Sequence, residues 1–226
     1  MCFNASLVTK AQIIEDLFQR DFPDAQFDLP QYFVSAFQHP SWPIIKQSLT
    51  QTIDLLAWGL IPHWVGTPEK AYEMRKYTIN ARWETLDTKP SFKKLVQKKR
   101  CVMLMDGYVE WQHSGQKKIP YRISLNDHTP FALGGLWDEN HRLKQETFTV
   151  VTQPAEGIVR EIHNTKQRMP LFLSPEMISD WLNPMVDFFD LNWGAHPMVS
   201  RLKATPIDST LFQKGQNPNS AQVLGL

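Results

Sequence analysis

Five short apolar stretches constrain the fold more than any other feature of this chain: IDLLAWGLIP (53–62), RCVMLMDGYVEW (100–111), PYRISL (120–125), PFALGGLW (130–137) and TFTVVT (147–152). Each is rich in Val, Ile, Thr and aromatic residues and is bounded by turn residues, so each reads as one or two strands. Helical signals are fewer. Residues 10–20, KAQIIEDLFQR, place Ile13, Ile14, Leu17 and Phe18 at helical spacing, with Thr9 as the expected N-cap. Pro68 to Lys76 and Ser91 to Lys98 also read as helices, as does SPEMISDWL (174–182), where Ser at the cap is followed by Pro and Glu. Pro23 to Pro43 holds four prolines and several aromatics without a sustained period, which predicts irregular chain with short strands. Beyond Thr205 the Gly, Asn and Pro content predicts a poorly ordered tail. The class is α+β.

The 226 residues are 42% hydrophobic and 21% charged, enough for one sizeable core. No apolar run is long enough to cross a bilayer, and MCFNASLVTKAQ lacks the basic flank and apolar stretch of a secretion signal, so a cytoplasmic protein without membrane contact is expected. Cys2 and Cys101 lie far apart and form no CxxC pair, which argues against a disulfide framework or structural zinc. No metal or cofactor is expected. With 24 basic and 23 acidic residues the total charge advertises no polyanion partner, although it says little about a local groove. The most basic stretch, KPSFKKLVQKKR (89–100), is compatible with a solvated helix face.

Four features carry more reactive or polar content than a strand-rich core requires. Cys2 is compatible with a packed thiol; if Met1 is removed, it instead presents an α-amine and a thiol with ordinary pKa values of about 8 and about 8.5. Such a 1,2-aminothiol condenses with an aldehyde to a five-membered thiazolidine. Glu110, between Val109 and Trp111 in DGYVEW, is suited to proton transfer if its carboxyl is desolvated, or faces solvent on an alternating strand. His163, in IHNTKQRMP (162–170), is either a proton carrier near neutral pH or a hydrogen-bonded structural residue. In TINARWET (78–85), Asn80 and Arg82 alternate, so on a strand they face one side, where an amide can orient a sugar oxygen and a guanidinium can hold a phosphate. Trp58 and Trp64 belong to the core or offer a stacking face to an unpaired base. Cys101, inside CVMLM, reads as core.

Taken in order, these runs resemble the SRAP family (SOS-response-associated peptidase), also called abasic-site processing proteins. The resemblance rests on MC at the start, WGLIPHW (58–64), INAR and ET (79–85), RC and DGYVEW (100–111), GGLW (134–137), IH and RMP (162–170), and HPMVS (196–200). It implies a single SRAP-like domain over 1–226, with a mostly antiparallel, twisted, barrel-like core flanked by helices. It also implies that Cys2, exposed by loss of Met1, is the nucleophile, and that Asn80, Glu110 and His163 complete the active site. The implied activity is covalent capture of abasic sites in single-stranded DNA as a thiazolidine, with a lyase-like side reaction and hydrolase-type removal of Met1. Arg82, Trp58, Trp64, Asn4 and Arg168 are the implied DNA contacts, and a monomer is expected. The chain departs from the commonest family start, MCGR, by carrying Phe3 and Asn4, which removes one phosphate-binding arginine. IHNTKQRMP is three residues longer than usual, and YFVSAFQHP (32–40) matches the family only loosely. Two other functions fit the same residues: a thiol peptidase using Cys2 and His163, and a non-catalytic single-strand-binding module built on Trp58, Trp64 and the basic run.

Overall fold

Each of the five apolar stretches contributes at least one strand, and most of those strands join one closed ring. The computed structural model describes residues 2–23, 27, 30–48, 50–191 and 197–224. Its strands are β1 (Asn4–Leu7), β2 (Gln31–Ser35), β3 (Ser41–Lys46), β4 (Asp54–Trp58), β5 (Asn80–Arg82), β6 (Arg100–Met105), β7 (Tyr108–Ser114), β8 (Lys117–Leu125), β9 (Phe131–Asn140), β10 (Gln145–Pro154), β11 (Arg168–Pro170), β12 (Phe172–Leu173) and β13 (Leu202–Pro206). Its helices are α1 (Ala11–Phe18), α2 (Pro68–Arg75), α3 (Gly157–Ile162) and α4 (Pro175–Leu182). None is long and apolar enough to cross a membrane.

Strands β10, β4, β3, β6 and β9 pair in that order, and β9 pairs back to β10, closing a five-stranded barrel. Closure leaves the ring strands without free edges. Only the β4–β10 contact within the ring is parallel. β6 is buried at every position because the barrel interior lies on one face and α4 packs on the other, which explains its unbroken apolar run. Trp181 of α4 donates its indole N–H to the Cys101 carbonyl at 2.8 Å. The neighbouring glycine of GGLW is sterically required: a Cβ on Gly135 would sit 2.7 Å from the Thr149 carbonyl oxygen on β10.

Two smaller sheets dress this barrel, β1 with β2 and β13–β8–β7. β10 runs on past the ring, where β5 and β11 flank it, pairing Val150 with Asn80 and Pro154 with Arg168. That extension carries two of the sequence's polar motifs to one end of the barrel.

Four expectations change. α1 is capped by Lys10, whose side chain makes no cap bond; the Thr9 hydroxyl instead donates to Asp106 at 3.3 Å. Residues 91–98 form successive turns rather than a helix, with hydrogen bonds alternating between three- and four-residue spans as Phe92, Leu95 and Val96 turn into the core. Arg100, counted in the basic run, is fully buried and donates to the carbonyls of Val96, Asn183 and Val186 at 3.1, 2.6 and 2.9 Å. The tail to residue 224 is also held. Val223 and Ile207 bury against Val109 on β7, and the Asn219 side-chain oxygen accepts from the amides of Tyr32 (2.7 Å) and Phe33 (3.1 Å). The tail's sparse apolar residues are the cover for β7, a long-range role that local composition does not reveal. Val223→Ala should therefore cost about 1.6 kcal/mol, two methyl groups' worth of burial, in urea unfolding. A loss below about 0.3 kcal/mol would show a tail that contributes nothing to the fold.

Candidate active site

The chain's N-terminal segment is fastened at two points, and together they place Cys2. Asn4 acts as a bidentate clamp: its side-chain N–H donates to the Val109 carbonyl at 2.9 Å, and its side-chain oxygen accepts from the Val109 amide at 2.5 Å. A side-chain amide thus imitates a neighbouring strand beside Glu110. Two residues on, Ser6 bridges to Gly107, where a Cβ would press within 2.8 Å of the Arg122 guanidinium, so glycine keeps that crossing open. Asp106 then gathers the rest of the segment. It accepts from the Ser6 hydroxyl (2.8 Å), the Val8 amide (2.6 Å) and the Thr9 amide (3.2 Å), and pairs with buried Arg122 at 3.2 Å.

Cys2 is buried, and its carbonyl accepts a hydrogen bond from the Asn80 side chain on β5 at 2.8 Å. The Asn80 side-chain oxygen is also buried and has no partner among the described residues. The Cys2 thiol donates to the Asn4 carbonyl at 3.4 Å. Burial pushes that thiol up to about 12; the amino terminus pulls it down and the Glu110 carboxylate raises it further. Residue Met1, on which the expectation of processing falls, lies outside the described residues, as does His196 of HPMVS.

Glu110 sits on β7 and His163 at the C-terminal end of α3, both buried. A Glu110 oxygen lies 3.8 Å from His163 Nδ1, a distance for electrostatic contact rather than a hydrogen bond. His163 Nδ1 lies 2.7 Å from the Arg168 carbonyl oxygen and 3.3 Å from the Arg168 amide nitrogen, so the Arg168 backbone holds the ring in place. Tyr108, two residues before Glu110 and on the same strand face, has a buried hydroxyl without a partner among the described residues. Burial holds its phenol well above the usual range, and the charges of Glu110 and Cys2 add to that.

Glu110 and His163 open onto a cleft of about 440 Å³ whose wall also includes Phe3, Trp111, His113, Lys118 and Lys166. Cys2 is not in that wall; its neighbour Phe3 is. The two lysines give the cleft a positive side suited to an anion. The sequence offered no pattern marking them, because they come from β8 and from the loop after α3, 48 residues apart in number but joined by the fold.

Cys2, Asn80, Glu110 and His163 are therefore brought to one end of the barrel. The expected DNA contacts divide. Arg82 is exposed two residues beyond Asn80 on β5. Trp64 is half exposed, but it lines a separate hollow with Val65, Glu69 and Met74. Trp58 is fully buried, donates to the Ile79 carbonyl at 3.0 Å and stacks on Phe148, so it has no face left for a base. Asn4 is 2% exposed and spent on Val109. Arg168 pairs with Glu84 and donates to the Thr152 carbonyl, which makes it the brace of the INAR–ET segment rather than a spare cation. It also holds the Glu84 carboxyl below its ordinary range.

A small barrel that holds a buried second-residue cysteine by an amide, with a carboxylate acting on its thiol and a histidine beside that carboxylate, defines a single-domain α+β protein with its candidate site at the N-terminal segment. The chain belongs to the SOS response associated peptidase (SRAP) family, which it matches over residues 1–213. It is 36% identical over 172 residues to the abasic site processing protein YoqW of Bacillus subtilis, covering 70% of this chain and 74% of that one. It is 33% identical over 132 residues to the abasic site processing protein YedK of Escherichia coli, 58% of this chain and 54% of that one. The fold matches the crystal structure of a Bacteroides thetaiotaomicron protein with a TM-score of 0.87 and 33% identity, over 99% of this chain and 98% of the other.

Proposed function

We propose that this protein processes abasic sites in single-stranded DNA by joining its Cys2 to them covalently. The observation that carries the reading is the setting of Cys2: its carbonyl is held by Asn80, whose side-chain oxygen is buried without a partner among the described residues, and its thiol is within electrostatic reach of Glu110. Loss of Met1 creates that amine. The open-chain form of an abasic deoxyribose carries an aldehyde at C1′. The Cys2 amine adds to it and water leaves, giving an imine; the thiol sulfur then bonds to the same carbon while its proton passes to the imine nitrogen, closing the thiazolidine. Glu110 and His163 stand where protons must move, first from the C1′ hydroxyl to the ring oxygen and then through the loss of water. Lys118 and Lys166 supply charge for the flanking phosphates, and Arg82 extends it, so binding should weaken as salt rises.

The test is a denaturing gel of the purified protein with a single-stranded oligonucleotide bearing one abasic site. A heat-stable shifted band should form, and Glu110→Gln should slow its appearance about 100-fold, the loss of one proton-transfer group. Absence of the band from protein whose Met1 has been removed would overturn the proposal.

A further inference from the structure

Phe3 stands where the commonest family start has glycine, and the fold gives it a partner. Asn4 pairs with Ser35 across β1 and β2, and the Phe3 carbonyl accepts from the Ala36 amide at 2.9 Å. That register lays the Phe3 ring on Phe37, with centroids 5.1 Å apart and planes at 26°. A short 3-10 turn, Ala36–Gln38, capped by the Ser35 hydroxyl, fixes Phe37, which is nonetheless 62% exposed. A large ring so exposed, stacked on a residue that lines the cleft, is a prepared apolar face rather than a piece of core.

We infer that Phe3 and Phe37 form a stacking platform for the nucleobase adjacent to the captured abasic nucleotide, and so favour abasic sites whose neighbouring nucleotide carries a base. The inference rests on the capture reading. Phe3 is bonded to Cys2, so whatever sugar Cys2 holds has its neighbouring nucleotide within reach of this pair. The cleft wall that contains Phe3 also contains Lys118 and Lys166. A flat apolar face beside cations fits a base with its phosphate, and stacking accepts any base because every base has a π-face. The platform also replaces one lost contact with another: where the commonest start uses an arginine at position 4, this chain spends Asn4 on Val109 and stacks through position 3 instead.

The experiment compares rates of covalent band formation, at subsaturating DNA, for an abasic site flanked by adenines and for one flanked by base-free tetrahydrofuran spacers. Wild type should capture the adenine-flanked site about fivefold faster or more. Phe37→Ala, at an exposed position that leaves the fold intact, should remove the difference, and Phe37→Trp should restore it. All three proteins should react with propanal at the same rate, since the aminothiol is untouched. Equal wild-type rates on the two oligonucleotides, or a difference that survives Phe37→Ala, would overturn the platform while leaving capture standing. No band from either oligonucleotide, with propanal still reacting, would overturn capture and the platform with it.

Discussion

Cys2→Ala should abolish the covalent band, lowering capture by at least about 10⁴-fold, while binding of undamaged single strands stays within about twofold of wild type. The size follows from the chemistry. Alanine keeps the α-amine and can still form a transient imine, but without sulfur no ring closes and the imine returns to aldehyde and amine in water. The fold should survive, because the side chain loses one buried thiol whose hydrogen bond among the described residues is to its near neighbour Asn4. Titration of the variant with a fluorescent oligonucleotide beside the denaturing gel separates the two effects. A variant that loses binding along with the band would place Cys2 in the structural framework instead.

Asp106→Ala should have the largest effect on stability of any single change near the site, about 3–5 kcal/mol, because it strands a buried cation. Arg122, 5% exposed, would keep its charge with no carboxylate beside it. Its guanidinium is already depressed by burial, with Asp106 working to raise it. The same substitution removes the acceptor for Ser6, Val8 and Thr9, so the N-terminal segment would lose one of its two fastenings. Thermal unfolding should fall by on the order of 10 °C, and capture should weaken even at temperatures where the barrel is intact. A drop of only one or two degrees would mean that Asp106 and Arg122 are solvated and that the contacts to Asp106 add little to holding the segment.

Much of this architecture is legible in the chain. Strands β6, β9 and β10 declare themselves because their central positions are buried on both faces, so β6 and the first half of β9 read as apolar runs and β10 as a β-branched one, and α4 declares itself through Ser174, whose hydroxyl accepts from the Met177 amide. The four residues of the candidate site were marked by their motifs, and the fold brings them to one end of the barrel. What sequence could not show is which polar residues face inward. Asn4 looks like a surface residue replacing an arginine, yet it is a buried clamp, because only the pairing of the N-terminal segment with β7 reveals its partner Val109 105 positions away. Trp58 sits in a motif that invites a stacking role, but parallel pairing of β4 with β10 sets it against Phe148 in the core. Phe37 and Lys118 carry no local signal, and Lys166 lies in IHNTKQRMP unmarked beside His163; Phe37 acquires meaning from its stack on Phe3 and the two lysines from the cleft.

The most direct test of the account is mass spectrometry of the N-terminal peptide after reaction with an abasic oligonucleotide and nuclease digestion. The account predicts a peptide beginning at Cys2, without Met1, carrying the sugar remnant at a mass equal to the two components less one water, with neither amine nor thiol open to alkylation. A sugar remnant on a lysine, or on a peptide that still begins with Met1, would contradict it.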